Sequence, residues 1–275
     1  MNPEAPLSAE PPGPLMQIAA LRPGDPWRWL AAGWRDLLAA KGISLFYGIC
    51  FWLMAILLGS IFRNSPEYAI SFLSGCFLVG PFLAMGLYEA SRRREQGRPQ
   101  DLGASLMCWD SHLGSMGMLV LVMLLLELLW GRASLVVFAV FFNTGMPSTA
   151  SVVQAIFNLA NWQFIAVYLV VGGVFAGLVF STCVVAIPMI LDRDTDAISA
   201  GLASIQVVLA NSGVMLLWGG LIVALLLAAL LLPWALGVLL VGPWLGHATW
   251  HAYRGSIRWP RPPGPEARPS LSSSL

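Results

Sequence analysis

The sequence predicts an all-α, polytopic membrane protein of six transmembrane helices, built as three repeated units of an interfacial amphipathic helix plus a helical hairpin. Three observations carry that prediction. Hydrophobic residues make up 57% of the 275 positions and charged residues 11%, against about 25% charged in a typical soluble domain. Apolar runs lie near residues 43–62, 69–90, 114–142, 164–191, 214–232 and 234–253. A block of the second run recurs in the sixth.

Each run is long enough to span, since roughly 20 helical residues cross a hydrocarbon core of about 30 Å. The runs are continuous rather than alternating, which favours helices that satisfy their own backbone over barrel strands. Basic residues then orient the chain. Arg22, Arg28, Arg35 and Lys41 precede the first run; Arg92, Arg93, Arg94 and Arg98 follow the second; Arg193 follows the fourth; Arg254, Arg258, Arg261 and Arg268 follow the sixth. Of fifteen Lys and Arg residues only Arg63 and Arg132 fall toward the other side, so the positive-inside rule puts both termini in the cytoplasm. Helical spans rather than a barrel point to a bacterial inner membrane, or to a comparable helical membrane elsewhere. Residues 1–26 are Pro-rich and polar with no cleavable signal, so the first run serves as an uncleaved anchor. Residues 1–24 and 256–275 read as disordered tails, and residues 25–255 as the six-helix domain.

The first unit opens at residues 25–41, where Trp27, Leu30, Trp34, Leu37 and Leu38 share a helix face and Arg28, Arg35 and Asp36 lie elsewhere. That spacing suits a helix in the headgroup region. Its hairpin contains Gly80-Pro81, a helix kink. A second amphipathic segment, residues 101–113, precedes the third and fourth runs, and the fourth contains Pro188. Between them the loop of residues 143–162 has helical spacing and a start at Pro147 and Ser148, predicting a surface helix on the outer side. The third unit begins at residues 196–212, with Ile198, Leu202, Ile205, Val208 and Leu209 as its apolar face, and ends in a run kinked at Pro243. Residues 78–83 (LVGPFL) match residues 240–245 (LVGPWL), the match continuing to Arg92 and Arg254; residues 186–190 (AIPMI) form a looser copy. All three units point the same way, a parallel rather than an inverted repeat.

Eight residues beyond the three prolines stand Glu89, Asp196 and His251. They either snorkel into headgroups or line a polar vestibule where the units meet. His247 and His251, at i,i+4, face one direction, and with His112 a three-His metal or haem site is conceivable. Bonds to neighbouring helices are the simpler reading, and no cofactor or metal is expected. Glu127, within Leu-Leu-Leu-Glu-Leu-Leu-Trp, is a costly charge in an apolar run and hence a candidate for proton or cation handling. Arg132 lies five residues on, roughly 140° around the helix, a poor same-helix partner. Cys50, Cys76, Cys108 and Cys183 are scattered and read as apolar packing residues. No nucleophile–base constellation or phosphate loop is present, and the positive charge is accounted for by topology rather than nucleic acid. The acidic run of residues 192–196 lacks the glycine and glutamate of an EF-hand and reads as a helix cap, with Asp194 or Asp196 as N-cap.

Together, the blocks LVGPFLAMGLYEASRRREQG, IPMILDRDTDAISA and LVGPWLGHATWHAYR resemble a bacterial family of integral membrane proteins of unknown function, over about residues 27–253. Members are sometimes loosely labelled cytochrome c oxidase subunit I-like. The resemblance implies a six-span inner-membrane architecture and no activity. The oxidase label is not supported, because the three histidines here are too few for that subunit's ligands. The function expected is a non-enzymatic scaffold or assembly role, with the lipid bilayer and other membrane proteins or copies of itself as partners. The alternative is a small-solute or ion transporter using a polar path along Glu127, Glu89, His247, His251 and Asp196.

Overall fold

A computed structural model describes residues 16–64, 68–142, 155–156 and 158–259. The chain forms α1 (Asp25–Ala39), α2 (Lys41–Asn64), α3 (Ala69–Glu95), α4 (Leu102–Met107) and α5 (Leu113–Phe141). Further along the chain come α6 (Trp162–Cys183), α7 (Ala186–Arg193), α8 (Ala197–Ala210), α9 (Ser212–Leu231) and α10 (Val238–Ser256). Among the described residues the stretches Lys41–Asn64, Leu102–Phe141, Leu159–Arg193 and Ser212–Leu231 are long and apolar enough to cross a membrane. The expected outer helix over residues 143–162, with its start at Pro147, lies outside the described residues apart from its last turns. So do residues 1–15 and 260–275.

Side-chain size sorts as it does in lipid. On α2, Leu45, Ile49, Leu53 and Leu57 form an exposed stripe one turn apart. Small residues make the close contacts between helices. A Cβ built at Gly33 of α1 would fall 2.6 Å from the Ala248 nitrogen of α10, and one at Gly48 of α2 2.2 Å from the Leu239 carbonyl oxygen. The main core gathers where the basic ends of the long helices meet α1, α7 and α8, around Trp218, Trp250, Ile190 and Met116.

The faces packed against protein, and some helix limits, are not those that the apolar spacing marks. The buried face of α1 is Trp29, Leu30, Gly33, Asp36 and Leu37, while Trp27 and Leu38 are exposed. Asp36 therefore sits on the packed side, because Gly33 lets the two helix backbones meet there. On α8 the buried residues are small, Ala197, Ala200, Gly201, Ala203, Ser204 and Val207, whereas Ile198, Leu202 and Leu209 point outward. Large apolar groups lose nothing by facing lipid. The fourth run is also not one helix, since α6 stops at Cys183 and α7 starts at Ala186. Pro188 has no N–H to donate and its ring conflicts with the carbonyl four residues earlier; at the break the Val185 N–H donates to Ser204 Oγ at 3.1 Å. Pro81 and Pro243 do lie inside continuous helices.

The expected N-terminal tail of residues 1–24 is structured from Met16. Strand β1 (Gln17–Ile18) pairs antiparallel with β2 (Ile257–Arg258), joining the two ends of the domain. Asn211 completes the clasp, donating to the Ala19 carbonyl at 3.1 Å and accepting from the Leu21 N–H at 2.9 Å. These main-chain bonds leave no apolar pattern to read. The last apolar run also starts late: Pro233–Ala235 form a tight turn, with Trp234 and Ala235 at positive φ (56° and 52°), before α10 begins at Val238.

Candidate functional site

The polar residues of the basic end form one buried layer between α1, α2, α3 and α10. At its centre is Asp36, 5% exposed. His251 Nε2 lies 2.8 Å from its Oδ2, and Arg94 Nη1 donates to Oδ1. A hydrogen bond from Ser91 adds to these. Ser91 Oγ also lies 2.8 Å from His247 Nδ1, and Ser44 Oγ lies 3.0 Å from His247 Nε2. An ionised carboxylate only accepts, so the groups around Asp36 donate to it. Ser91 donates to Asp36 and accepts from His247 Nδ1–H, leaving Nε2 to accept from Ser44. Ser44 Oγ also donates to the Leu37 carbonyl at 3.4 Å. Burial pushes the Asp36 carboxyl up, but the hydrogen bonds of His251 and Ser91 and the charges of both histidines outweigh it and hold it below its ordinary value.

A second set of pairs surrounds this chain. Glu89, 3% exposed, lies 2.8 Å from Arg92 Nε and 3.8 Å from Arg93 Nη1. Arg92 in turn donates to the Leu191 carbonyl at 2.7 Å, joining α3 to α7. Glu95 accepts from Arg254 Nη2 at 2.7 Å and Nε at 3.1 Å, and from the Trp250 indole at 3.2 Å. Burial alone would lower the Arg254 guanidinium, yet the hydrogen bond and charge of Glu95 raise it above its ordinary value. Tyr253 donates to Asp192 at 2.7 Å. The Glu89 pairs lie within α3, but the bonds of Arg92, Glu95 and Tyr253 cross from one element to another, so the layer acts as a tie.

The candidate residues are thus placed differently from one another. His247 and His251 face the same layer but hold separate partners, and His112 is elsewhere, 2.7 Å from Asp194 and 2.9 Å from the Cys108 carbonyl. Among the described residues no group of three or more His, Cys, Asp or Glu could hold a metal ion. Asp196 is exposed at the N-terminus of α8, where its carboxylate accepts from the Ser199 N–H at 2.9 Å; that bond holds its pKa down. Glu127, 4% exposed, sits at the midpoint of the 29-residue α5. It lines a recess of about 380 Å³ between α5 and α6, with Trp130, Gly172 and Phe175. Its place is ~21 Å along the helix from Leu113, away from the basic end.

Asp36, Ser44, Ser91, Arg94 and Glu95 escaped the sequence reading. The one signal was the spacing of Trp29, Gly33 and Asp36, a second possible face of α1.

Long apolar helices, lipid-sorted side chains and a charged layer at one end define a polytopic α-helical integral membrane protein. Residues 69–192 match the family model DUF2189, described as a predicted integral membrane protein. The match runs from α3 to α7, so it includes Pro81, Glu89, Glu127 and Pro188 but neither Asp36 nor the α10 histidines. No curated protein and no solved structure matches the chain.

Proposed function

We propose that this is a non-enzymatic membrane protein of a bacterial inner membrane, with a scaffold or assembly role toward other membrane proteins or copies of itself. In this reading six membrane helices form three parallel repeats and both termini lie in the cytoplasm. The observation that carries it is the use made of the polar residues. Glu89, His247 and His251 bond to side chains of their own chain, and the recess between α2, α3, α9 and α10 is lined almost wholly by apolar groups such as Phe51, Met54 and Leu245. A layer that locks helices together suits a rigid platform, and the exposed apolar stripes suit contacts within the bilayer. The test is photo-crosslinking in native membranes from probes at Leu125 of α5 and Leu216 of α9, both exposed. A discrete protein adduct at either position supports the role; adducts with lipid alone at both positions oppose it.

A second reading, transport, rests on Glu127, a buried carboxylate midway along a membrane helix. Proteoliposome flux of protons and monovalent cations, compared between wild type and Glu127→Gln, tests it. Flux that the substitution abolishes would replace the scaffold reading.

A further inference from the structure

The hairpin of α9 and α10 stops well short of the outer end of α2. Trp52 of α2 donates its indole N–H to the Trp234 carbonyl at 2.8 Å, and Gly242 packs on Phe51, so α10 enters beside residues 48–52 of α2. Beyond Trp52, α2 continues to Asn64, a further ~18 Å. That is close to the depth of one leaflet, about half of a 30 Å core.

The space above the turn is a recess of about 850 Å³. Its walls are Ala55, Leu58 and Phe62 of α2 with Leu226 and Leu230 of α9, and Val238 and the turn form its floor. It shares Ala55, Leu58, Leu226 and Val238 with the recess of about 370 Å³ that reaches down to Thr249. Its mouth is open, with Leu232 and Trp234 both exposed. Irregular backbone at membrane depth is costly unless its polar groups are paired. Here the carbonyls of Leu232, Pro233 and Trp234 accept from the Ala235 N–H, the Leu236 N–H and the Trp52 indole, so the floor tolerates hydrocarbon. At the outer rim stands Arg63, exposed and one of two basic residues off the basic side of the chain.

We infer that this recess seats an acyl chain of an anionic phospholipid from the outer leaflet, with Arg63 against the headgroup. The lining takes hydrocarbon, the depth matches one leaflet, and a cation stands at headgroup level. It rests on the proposed orientation, with both termini in the cytoplasm, and needs neither the scaffold nor the transport role.

The experiment is native mass spectrometry of the purified full chain with added phosphatidylglycerol or phosphatidylcholine of identical chains. Wild type should retain one phosphatidylglycerol in preference to phosphatidylcholine by about fivefold, the effect of one basic side chain at a charged headgroup. Arg63→Gln should remove the preference. Gly59→Phe should remove binding of both lipids by filling the recess; a Cβ at Gly59 meets nothing nearer than Arg63 Nη2 at 4.0 Å, so the larger side chain has room. A preference that survives Arg63→Gln overturns the assignment, and so does lipid retention unchanged by Gly59→Phe. Arg63→Gln alters an exposed side chain, so that arm reads out even if Gly59→Phe fails to fold.

Discussion

Asp36 gathers more of the molecule than any other side chain of the polar layer. It receives Arg94 from α3, His251 from α10 and, through Ser91, the imidazole of His247. Replacing it by Asn keeps the shape and removes the charge, leaving buried donors poorly matched, at a cost of about 1–3 kcal/mol. The check is the midpoint of thermal unfolding in detergent, which should fall in Asp36→Asn. The pH dependence has a definite sign. Because the folded carboxyl lies below the ordinary 3.8, its stabilisation is complete above that value and disappears as pH falls through the lower folded one. Melting followed from pH 6 downward should therefore show an acid step below 3.8 in wild type that is smaller in Asp36→Asn. Sequence reasoning reached Glu89, His247 and His251 because polar residues near the ends of apolar runs stand out. It missed Asp36 because the deciding partner, His251, is 215 positions away, and the tryptophans nearby suggested another face.

Helices α1 and α8 show what decides a buried face at the level of the element. Both were legible as amphipathic segments with nearly correct ends, since capping residues and the breaks between apolar runs mark them. Which face turns inward was not legible, because lipid and protein core attract the same large apolar residues, while close approach of backbones selects small ones. Gly33 on α1 and the Ala, Gly and Ser residues of α8 carried that information. Substituting Gly33 by Val should force α1 off α10, since the first added carbon already falls 2.6 Å from the Ala248 nitrogen; the overpacking cost is about 1–3 kcal/mol. Hydrogen exchange should show faster exchange across α1 in Gly33→Val, and unchanged exchange there would remove the contact from the account. The break between α6 and α7 was half legible: Pro188 marked a disturbance, but the Ser204 hydroxyl that accepts from the Val185 N–H lies on another helix.

Across the whole molecule, composition and the distribution of arginine spoke for a helical membrane protein, and DUF2189 matches residues 69–192. The clasp of Gln17–Ile18 on Ile257–Arg258 keeps the two ends of the domain on one side, so cysteine labelling gives a direct check of topology. In a chain whose native Cys50, Cys76, Cys108 and Cys183 are replaced by alanine, a cysteine at Ala20 or Arg258 should react only with a reagent that enters the cytoplasm. One at Asn64 should react from outside, and the reverse pattern would invert the orientation. The central claim is that the buried layer around Asp36 is a tie between helices and not a path. It is tested most directly by measuring proton and cation flux in proteoliposomes alongside thermal stability, for wild type and Asp36→Asn. The tie predicts no flux above empty vesicles from either protein and a lower melting midpoint in the variant. Flux in wild type that Asp36→Asn abolishes at an unchanged melting midpoint would contradict it.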